Sequence, residues 1–66
     1  MITNNIRRLR FDRGEMTQAV LAEKVGVSRQ TINAIEQNKY SPTLETAFRI
    51  AQAFGVEIGN VFSYRE

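Results

Sequence analysis

Apolar residues recur along most of the chain every three or four positions, which is the period of an α-helix packed on one side. The pattern predicts four helices and a short fifth, joined by tight turns, at about 4–13, 18–25, 29–38, 44–54 and 58–62. Strand-like alternation is missing, except that the two ends of the chain can form short strands. The predicted fold class is therefore all-α, a compact bundle of four to five short helices.

Residues that start and stop helices stand at these boundaries. Threonine, serine and asparagine side chains cap the free N–H groups of a first turn, and glycine commonly follows a last turn. The predicted caps are Thr3 or Asn4, Thr17, Ser28 and Thr43, and the predicted stops are Gly14, Gly26 and Gly55. The residues expected to face the core are Ile6 and Leu9 with Phe11 beside them, Leu21, Ala22, Val25, Leu44, Ala47, Phe48, Ile50, Ala51 and Phe54.

The third helix has an unusual polar side. At about 100° per residue, Ile32 and Ile35 fall on one side of it, together with Ser28, Thr31 and Glu36. The opposite side, here called the polar stripe, consists of Arg29, Gln30, Asn33, Ala34 and Gln37. These amide and guanidinium groups donate and accept hydrogen bonds in fixed geometries. By itself, the stripe is equally consistent with a surface that binds a ligand and with one that only meets water.

The turn before this helix is the more specific signal. Gly26, Val27 and Ser28 supply a helix stop, an apolar side chain for the core and a helix cap within three residues. Two short helices joined by such a turn cross steeply, and the small Ala22 lets the third helix approach the second. The polar stripe is then presented outward on a rigid base.

Charge and composition narrow the choice of function. The chain has 66 residues, which predicts a single domain over 1–66, and a net charge of +2. Residues 1–40 carry seven basic and four acidic side chains, whereas residues 41–66 carry two basic and three acidic ones. A positive excess around the polar stripe suits a polyanionic partner, although an ordinary asymmetry of surface charge would look the same.

The composition argues against an enzyme. The sequence has no cysteine and no histidine, and we find no nucleophile–base pair, metal ligand set or phosphate-binding loop. We therefore expect no cofactor, no metal and no small-molecule ligand. No apolar run is long enough to cross a bilayer, so no membrane partner is expected, and the lack of cysteine fits a reducing cytoplasm.

Residues 17–56 resemble the helix-turn-helix domain of phage repressors, Cro proteins and small bacterial regulators of that type. The residues that carry the resemblance are Gln18, Leu21, Ala22, Gly26, Ser28, Ile32, Ile35, Glu36 and Pro42. The resemblance implies a lambda-repressor-like DNA-binding domain whose third helix enters the major groove. The positions that match base-contacting residues are Arg29, Gln30, Asn33, Ala34 and Gln37. The chemistry is suitable, since arginine binds guanine edges and glutamine or asparagine binds adenine edges, each in a bidentate manner.

The resemblance also implies contacts to phosphate and one structural ion pair. The phosphate candidates are Gln18, Ser28, Thr31, Lys39, Tyr40 and Thr43. Ser28 and Thr43 have a competing role as plain helix caps, and for Thr43 we favour the cap. The expected ion pair joins Arg10 of the first helix to Glu36 of the third.

A dimer is expected because one such domain spans few base pairs, whereas two place their helices about one DNA turn apart. The candidate interface residues are Val56, Ile58, Val61, Phe62 and Tyr64. Each of them is equally suited to closing the core.

The leading hypothesis is therefore a sequence-specific regulator that binds double-stranded DNA. We expect a repressor that binds a palindromic operator as a homodimer. The alternative is a protein-interaction module, such as an antitoxin or an adaptor. The polar stripe favours DNA, because protein interfaces concentrate their binding energy in tryptophan, tyrosine and arginine.

Overall fold

Five helices and two short strands make up the protein in the computed structural model, which describes residues 1–66. In chain order these are β1 (Ile2–Asn4), α1 (Ile6–Asp12), α2 (Gln18–Val25), α3 (Arg29–Glu36), α4 (Leu44–Phe54), α5 (Ile58–Val61) and β2 (Phe62–Tyr64). The predicted helical bundle is confirmed, and so are the short strands at its two ends. No helix in the structure is both long and apolar enough to cross a membrane.

Three helices begin at the predicted caps. The side-chain oxygens of Thr17, Ser28 and Thr43 accept hydrogen bonds from backbone N–H groups three residues later, at 3.1, 3.1 and 3.2 Å. α2 and α4 end at Gly26 and Gly55, both in the left-handed conformation. The boundaries of these helices therefore follow from local chemistry.

The start of α1 differs from the prediction. Asn5 occupies the N-cap position and makes no side-chain capping bond, while Thr3 and Asn4 lie in β1. Pairing with β2 keeps these two residues extended, so the helix begins at Ile6. The Asn4 Oδ1 atom still accepts the Ile6 N–H at 3.0 Å.

Replacing Thr17 with alanine should lower the free energy of unfolding by about 1 kcal/mol, the usual cost of a lost N-cap. The physical reason is that the Val20 N–H loses its acceptor at the start of α2. Chemical denaturation followed by circular dichroism measures the change. Thr17→Ser keeps the oxygen and should retain most of the stability, and equal losses in the two variants would contradict the capping role.

The core is a single cluster in which α2, α3 and α4 meet α1 and α5. Its ten residues are Ile6, Leu21, Ala22, Val25, Ile32, Ile35, Ile50, Ala51, Phe54 and Val61. Val27, from the turn between α2 and α3, is half-buried and packs against it, as predicted. α3 is therefore held on the core by Ile32 and Ile35.

Three of the predicted core residues are exposed. Phe11, Leu44 and Phe48 are 67%, 72% and 49% accessible, so their inward placement was wrong. Phe11 lies one residue before the end of α1, where no neighbouring element covers it. On α4, Leu44 and Phe48 lie roughly 70° and 110° from the centre of the buried face at 100° per residue.

One dimer candidate is also corrected. The Val61 side chain is completely buried in the core, so it is not available to a partner. α5 is a single short turn, and its last residue closes the base of the bundle. Val56, Ile58 and Phe62 are half-buried against the core, and Tyr64 is 73% exposed.

The two strands join the ends of the chain and attach them to α3. β1 and β2 are antiparallel, with Ile2 opposite Tyr64 and Asn4 opposite Phe62. Asn4 Nδ2 donates to the Ile35 carbonyl at 2.9 Å and to Asn38 Oδ1 at 3.0 Å. The strand pair is therefore tied to the C-terminal end of α3.

Candidate nucleic-acid interface

The turn between α2 and α3 fixes how α3 is presented. Gly26 adopts φ +87°, which favours glycine, and its N–H donates to the Ala22 carbonyl at 2.8 Å. The Val27 N–H donates to the same carbonyl at 3.1 Å. With Ser28 capping the next helix, every residue of this turn is fixed by a hydrogen bond or by packing, so α3 rests on a defined base.

The polar stripe lies on the side of α3 that faces away from the core. Ile32 and Ile35 are buried, at 0% and 1% exposure. Arg29, Gln30 and Gln37 are exposed, whereas Asn33 and Ala34 are half-buried at the edge of the helix contact. The structure thus brings the five stripe residues together on one surface, with Arg29 and Gln30 exposed at its N-terminal end.

Gln18, the first residue of α2, connects the stripe to the rest of the molecule. Its Nε2 donates to Asn33 Oδ1 at 3.1 Å and to Glu36 Oε1 at 3.3 Å. Its Oε1 accepts from Arg29 Nη1 at 3.3 Å. Asn33 Oδ1 accepts a further bond from Gln37 Nε2 at 3.2 Å. One amide therefore orients two stripe residues directly and a third through Asn33.

Beneath the stripe, Arg10 and Glu36 form the only ion pair between two helices. The Arg10 Nε and Nη2 atoms donate to the two carboxylate oxygens at 2.7 and 3.1 Å. The two side chains are 16% and 8% exposed. Arg10 Nη1 also donates to the Met16 carbonyl at 2.7 Å, so this guanidinium joins α1, the following turn and α3.

The six phosphate candidates fall into two groups at the two ends of α3. Ser28 and Thr31 lie at its start, where their hydroxyl groups are 2.9 Å apart, and Gln18 accepts a hydrogen bond from Arg29 in the same turn at 3.3 Å. Lys39 and Tyr40 are exposed in the turn after α3, and Thr43 is exposed at the start of α4. The Thr43 hydroxyl caps α4 and donates to Thr46 Oγ1 at 3.0 Å.

The linking role of Gln18 was not predicted, since the sequence indicated only a phosphate contact. Its three partners lie 11, 15 and 18 residues further along the chain. No local pattern joins residues at such separations. The repeated amides at Gln18, Asn33 and Gln37 were the available signal, but only the packing of α2 against α3 makes them neighbours.

Comparison with known proteins decides the family. Residues 6–60 match the family model described as Helix-turn-helix. The chain belongs to the helix-turn-helix family. This membership confirms the resemblance to phage-repressor and Cro-type regulators. The matched residues include all five helices except the last residue of α5.

Proteins similar to this chain are found in several organisms. A helix-turn-helix-type transcriptional regulator of Methanocaldococcus jannaschii is 57% identical over 51 residues, which are 77% of each chain. The regulator YgzD of Bacillus subtilis is 41% identical over 63 residues, 96% of this chain and 94% of that one. The cryptic phage CTXphi transcriptional repressor RstR of Vibrio cholerae is 36% identical over the whole chain, which spans 59% of the repressor. These matches place the protein among DNA-binding transcriptional regulators and not among enzymes.

Proposed function

We propose that this protein is a sequence-specific repressor that binds a palindromic operator as a homodimer, with α3 in the major groove. The observation that carries the proposal is the exposure of Arg29 and Gln30 in the first turn of α3, while Ile32 and Ile35 of the same helix are buried in the core. In helix-turn-helix proteins, the N-terminal residues of the second helix of the motif contact base edges. Residues 1–66 act together as one DNA-binding domain in this proposal.

Arg29 is the strongest candidate for base recognition. A guanidinium has five N–H donors, and Gln18 accepts from only one of the Arg29 nitrogens, at the long distance of 3.3 Å. This bond orients the Arg29 guanidinium, and its other N–H donors stay free for guanine O6 and N7 in the major groove. This contact should provide most of the discrimination within a half-site.

The other stripe residues supply adenine and thymine recognition. Gln30 makes no side-chain hydrogen bond within the protein, so both its donor and its acceptor are free for adenine N7 and N6. Asn33 and Gln37 share a hydrogen bond and would act as a unit. Ala34 offers a methyl group to the thymine methyl.

Phosphate contacts hold the stripe in register without reading sequence. We propose Lys39 and Tyr40 at one end of α3, and Gln18, Ser28 and Thr31 at the other, where the free N–H groups at the starts of α2 and α3 carry partial positive charge. Thr43 is assigned chiefly to its capping bond. The two groups are separated along α3, as contacts to both sides of a groove require.

Repression follows from occupancy. Every helix within residues 1–66 belongs to the core or to the helix-turn-helix motif, so these residues hold no separate effector domain. A dimer bound to its operator in the cytoplasm would therefore repress by blocking the access of RNA polymerase to the DNA. The relative RstR is itself named a transcriptional repressor. The polar stripe contains no aromatic residue, which favours DNA over a protein partner at this surface.

Selection of bound duplexes from a random library tests the proposal. We expect enrichment of a palindrome whose half-sites lie about 10 bp apart, centre to centre. Affinity for it should fall steeply with salt, because phosphate contacts release counterions. A folded protein that enriches no sequence would contradict the proposal, and enrichment of an isolated half-site would remove the dimer from it.

A further inference from the structure

We propose that Asn4 is a positioning residue for DNA binding. Its side-chain amide extends from β1 and holds the turn after α3 in the conformation that presents Lys39 and Tyr40 to the DNA backbone. The inference rests on the proposed function, in which these two residues contact phosphate. It adds a residue that acts through the turn and lies more than thirty positions away from it in the chain.

α3 ends in a turn that requires a left-handed residue. The Lys39 N–H donates to the Ala34 carbonyl at 2.9 Å. The Asn38 N–H donates to the Ile35 carbonyl at 3.0 Å. These two bonds form a Schellman motif, whose left-handed residue is usually glycine and is here Asn38, with φ +60°. Asparagine tolerates this φ better than most residues but is still strained there, so a contact that stabilises Asn38 stabilises the turn.

The Asn4 amide supplies that contact. Its Nδ2 atom donates to Asn38 Oδ1 at 3.0 Å and to the Ile35 carbonyl at 2.9 Å. A longer contact of 3.4 Å reaches the Glu36 carbonyl. The last carbonyl groups of an α-helix lack the usual partner within the helix. One half-buried amide from a distant strand therefore reaches two of them and also fixes the side chain of the left-handed residue.

Asn4 is itself fixed from two sides. Its Oδ1 atom accepts the Ile6 N–H at the start of α1 at 3.0 Å, and pairing with Phe62 of β2 keeps its backbone extended. The following N–H group, that of Asn5, donates to the Val61 carbonyl at 2.8 Å. The amide therefore projects from a rigid junction of β1, β2 and α1.

The turn held by Asn4 leads directly into the residues proposed to contact phosphate. Lys39 follows Asn38, and both Lys39 and Tyr40 are exposed. The φ of Asn38 sets the direction of the chain at this point, so it decides where these two side chains point. Asn4, Asn38 and Tyr40 also line a small gap of about 20 Å³, which has room for one water molecule at most. Tyr40 thus packs close to the Asn4 amide.

A loosened turn has a specific effect on DNA binding. Each lost phosphate contact lowers the salt slope of binding by about 1, and a dimer has two Lys39 side chains. Asn4→Ala should therefore lower the slope by about 1–2. Its affinity deficit relative to the wild type should then shrink by about 4- to 16-fold as salt rises from about 50 to 200 mM. A variant that was only less stable would keep the wild-type slope.

The test is a set of fluorescence anisotropy titrations of the selected operator at several salt concentrations. The proteins are the full chain, Asn4→Ala, Asn5→Ala, Lys39→Ala and the double variant Asn4→Ala, Lys39→Ala. Asn5→Ala is the matched control, because the neighbouring amide donates to the Asn60 carbonyl at 3.3 Å and not to α3. Urea denaturation shows that each variant is folded under the binding conditions.

We expect a reduced salt slope for Asn4→Ala and Lys39→Ala, and the wild-type slope for Asn5→Ala. The double variant should bind little more weakly than Lys39→Ala alone, because two changes that act through one contact are not additive.

Hydrogen exchange measured by NMR tests the same turn without DNA. The Lys39 N–H, which is bonded to the Ala34 carbonyl, should exchange about 5-fold faster in Asn4→Ala than in the wild type, the effect of about one net hydrogen bond. Asn5→Ala should leave its rate unchanged.

Three results would overturn the inference. These are a wild-type salt slope in Asn4→Ala, effects of Asn4→Ala and Lys39→Ala that add in full, and an unchanged exchange rate of the Lys39 N–H in Asn4→Ala. If the wild type binds its operator and any of these results is found, only the role of Asn4 is wrong. A wild type that binds no duplex would instead overturn the proposed function, and hydrogen exchange would still decide whether Asn4 holds the turn.

Discussion

Replacing Arg10 with methionine should lower the free energy of unfolding by about 3–5 kcal/mol, the usual cost of removing one partner from a buried ion pair. Glu36 would lose both charge-assisted hydrogen bonds while remaining 8% exposed, with only the 3.3 Å bond from Gln18 Nε2 left. The Met16 carbonyl would also lose its donor. The total free energy of unfolding of a small domain is only about 5–15 kcal/mol, so the variant should be close to unfolding. Urea denaturation followed by circular dichroism measures the loss.

Two matched variants identify the cause of that loss. Arg8→Met removes an exposed arginine from the same helix and should change stability by no more than about 0.5 kcal/mol. The double variant Arg10→Met, Glu36→Met leaves no buried charge, so it should recover much of the stability lost by Arg10→Met. If Arg10→Met and Arg8→Met prove equally stable, the ion pair has no structural role.

Replacing Arg29 with alanine should weaken binding to the selected operator more than any other single change in the polar stripe. One bidentate base contact discriminates by about 1–3 kcal/mol, so a dimer that makes the contact in both half-sites should lose about 2–6 kcal/mol. Alanine keeps the helix intact, because Arg29 is exposed and alanine is the best helix former. Fluorescence anisotropy titrations at several salt concentrations measure the change.

Lys39→Ala and Arg49→Ala are the controls for Arg29→Ala. A lost phosphate contact at Lys39 should weaken all duplexes to a similar extent and reduce the salt slope by about 1 for each contact. Arg49 is exposed on α4, where it pairs with Glu45 at 2.7 Å, and its loss should have little effect on affinity. Equal weakening by Arg29→Ala and Arg49→Ala would mean that Arg29 contributes only its charge.

Local chemistry explains why most of the fold could be predicted from the sequence. Thr17, Ser28 and Thr43 each carry an oxygen that can cap the helix following them, and Gly26 and Gly55 can adopt the left-handed conformation that ends one. The apolar period of three to four then places Ile32 and Ile35 inward. All of these features depend on residues a few positions apart, which is the range over which a sequence pattern operates.

The remaining features depend on contacts between distant residues. Asn4 was predicted only as a helix cap, yet it bonds to the C-terminal end of α3, more than thirty residues away. Leu44 and Phe48 belong to the apolar pattern of α4, but no element of the same chain covers them. Val61 fits a core and an interface equally well until the packing of α5 is known. In each case the deciding information is which element lies opposite.

The candidate site likewise has features that follow from local sequence and features that require contacts between distant residues. The identity of the polar stripe follows from helical period and residue type, because the centre of the stripe lies opposite Ile32 and Ile35 on a regular helix. The network that orients the stripe through Gln18 requires the α2–α3 packing. Which groups are free for DNA, such as those of Gln30, is therefore evident only in the folded protein.

The most direct test of α3 as the DNA-reading element is duplex selection repeated with Arg29→Ala and Gln30→Ala, with Gln52→Ala on the exposed side of α4 as control. Each stripe variant should lose base preference at one position of each half-site, at a different position for each variant, while the control enriches the wild-type operator. If both folded stripe variants enrich the unchanged wild-type operator, α3 does not read the bases.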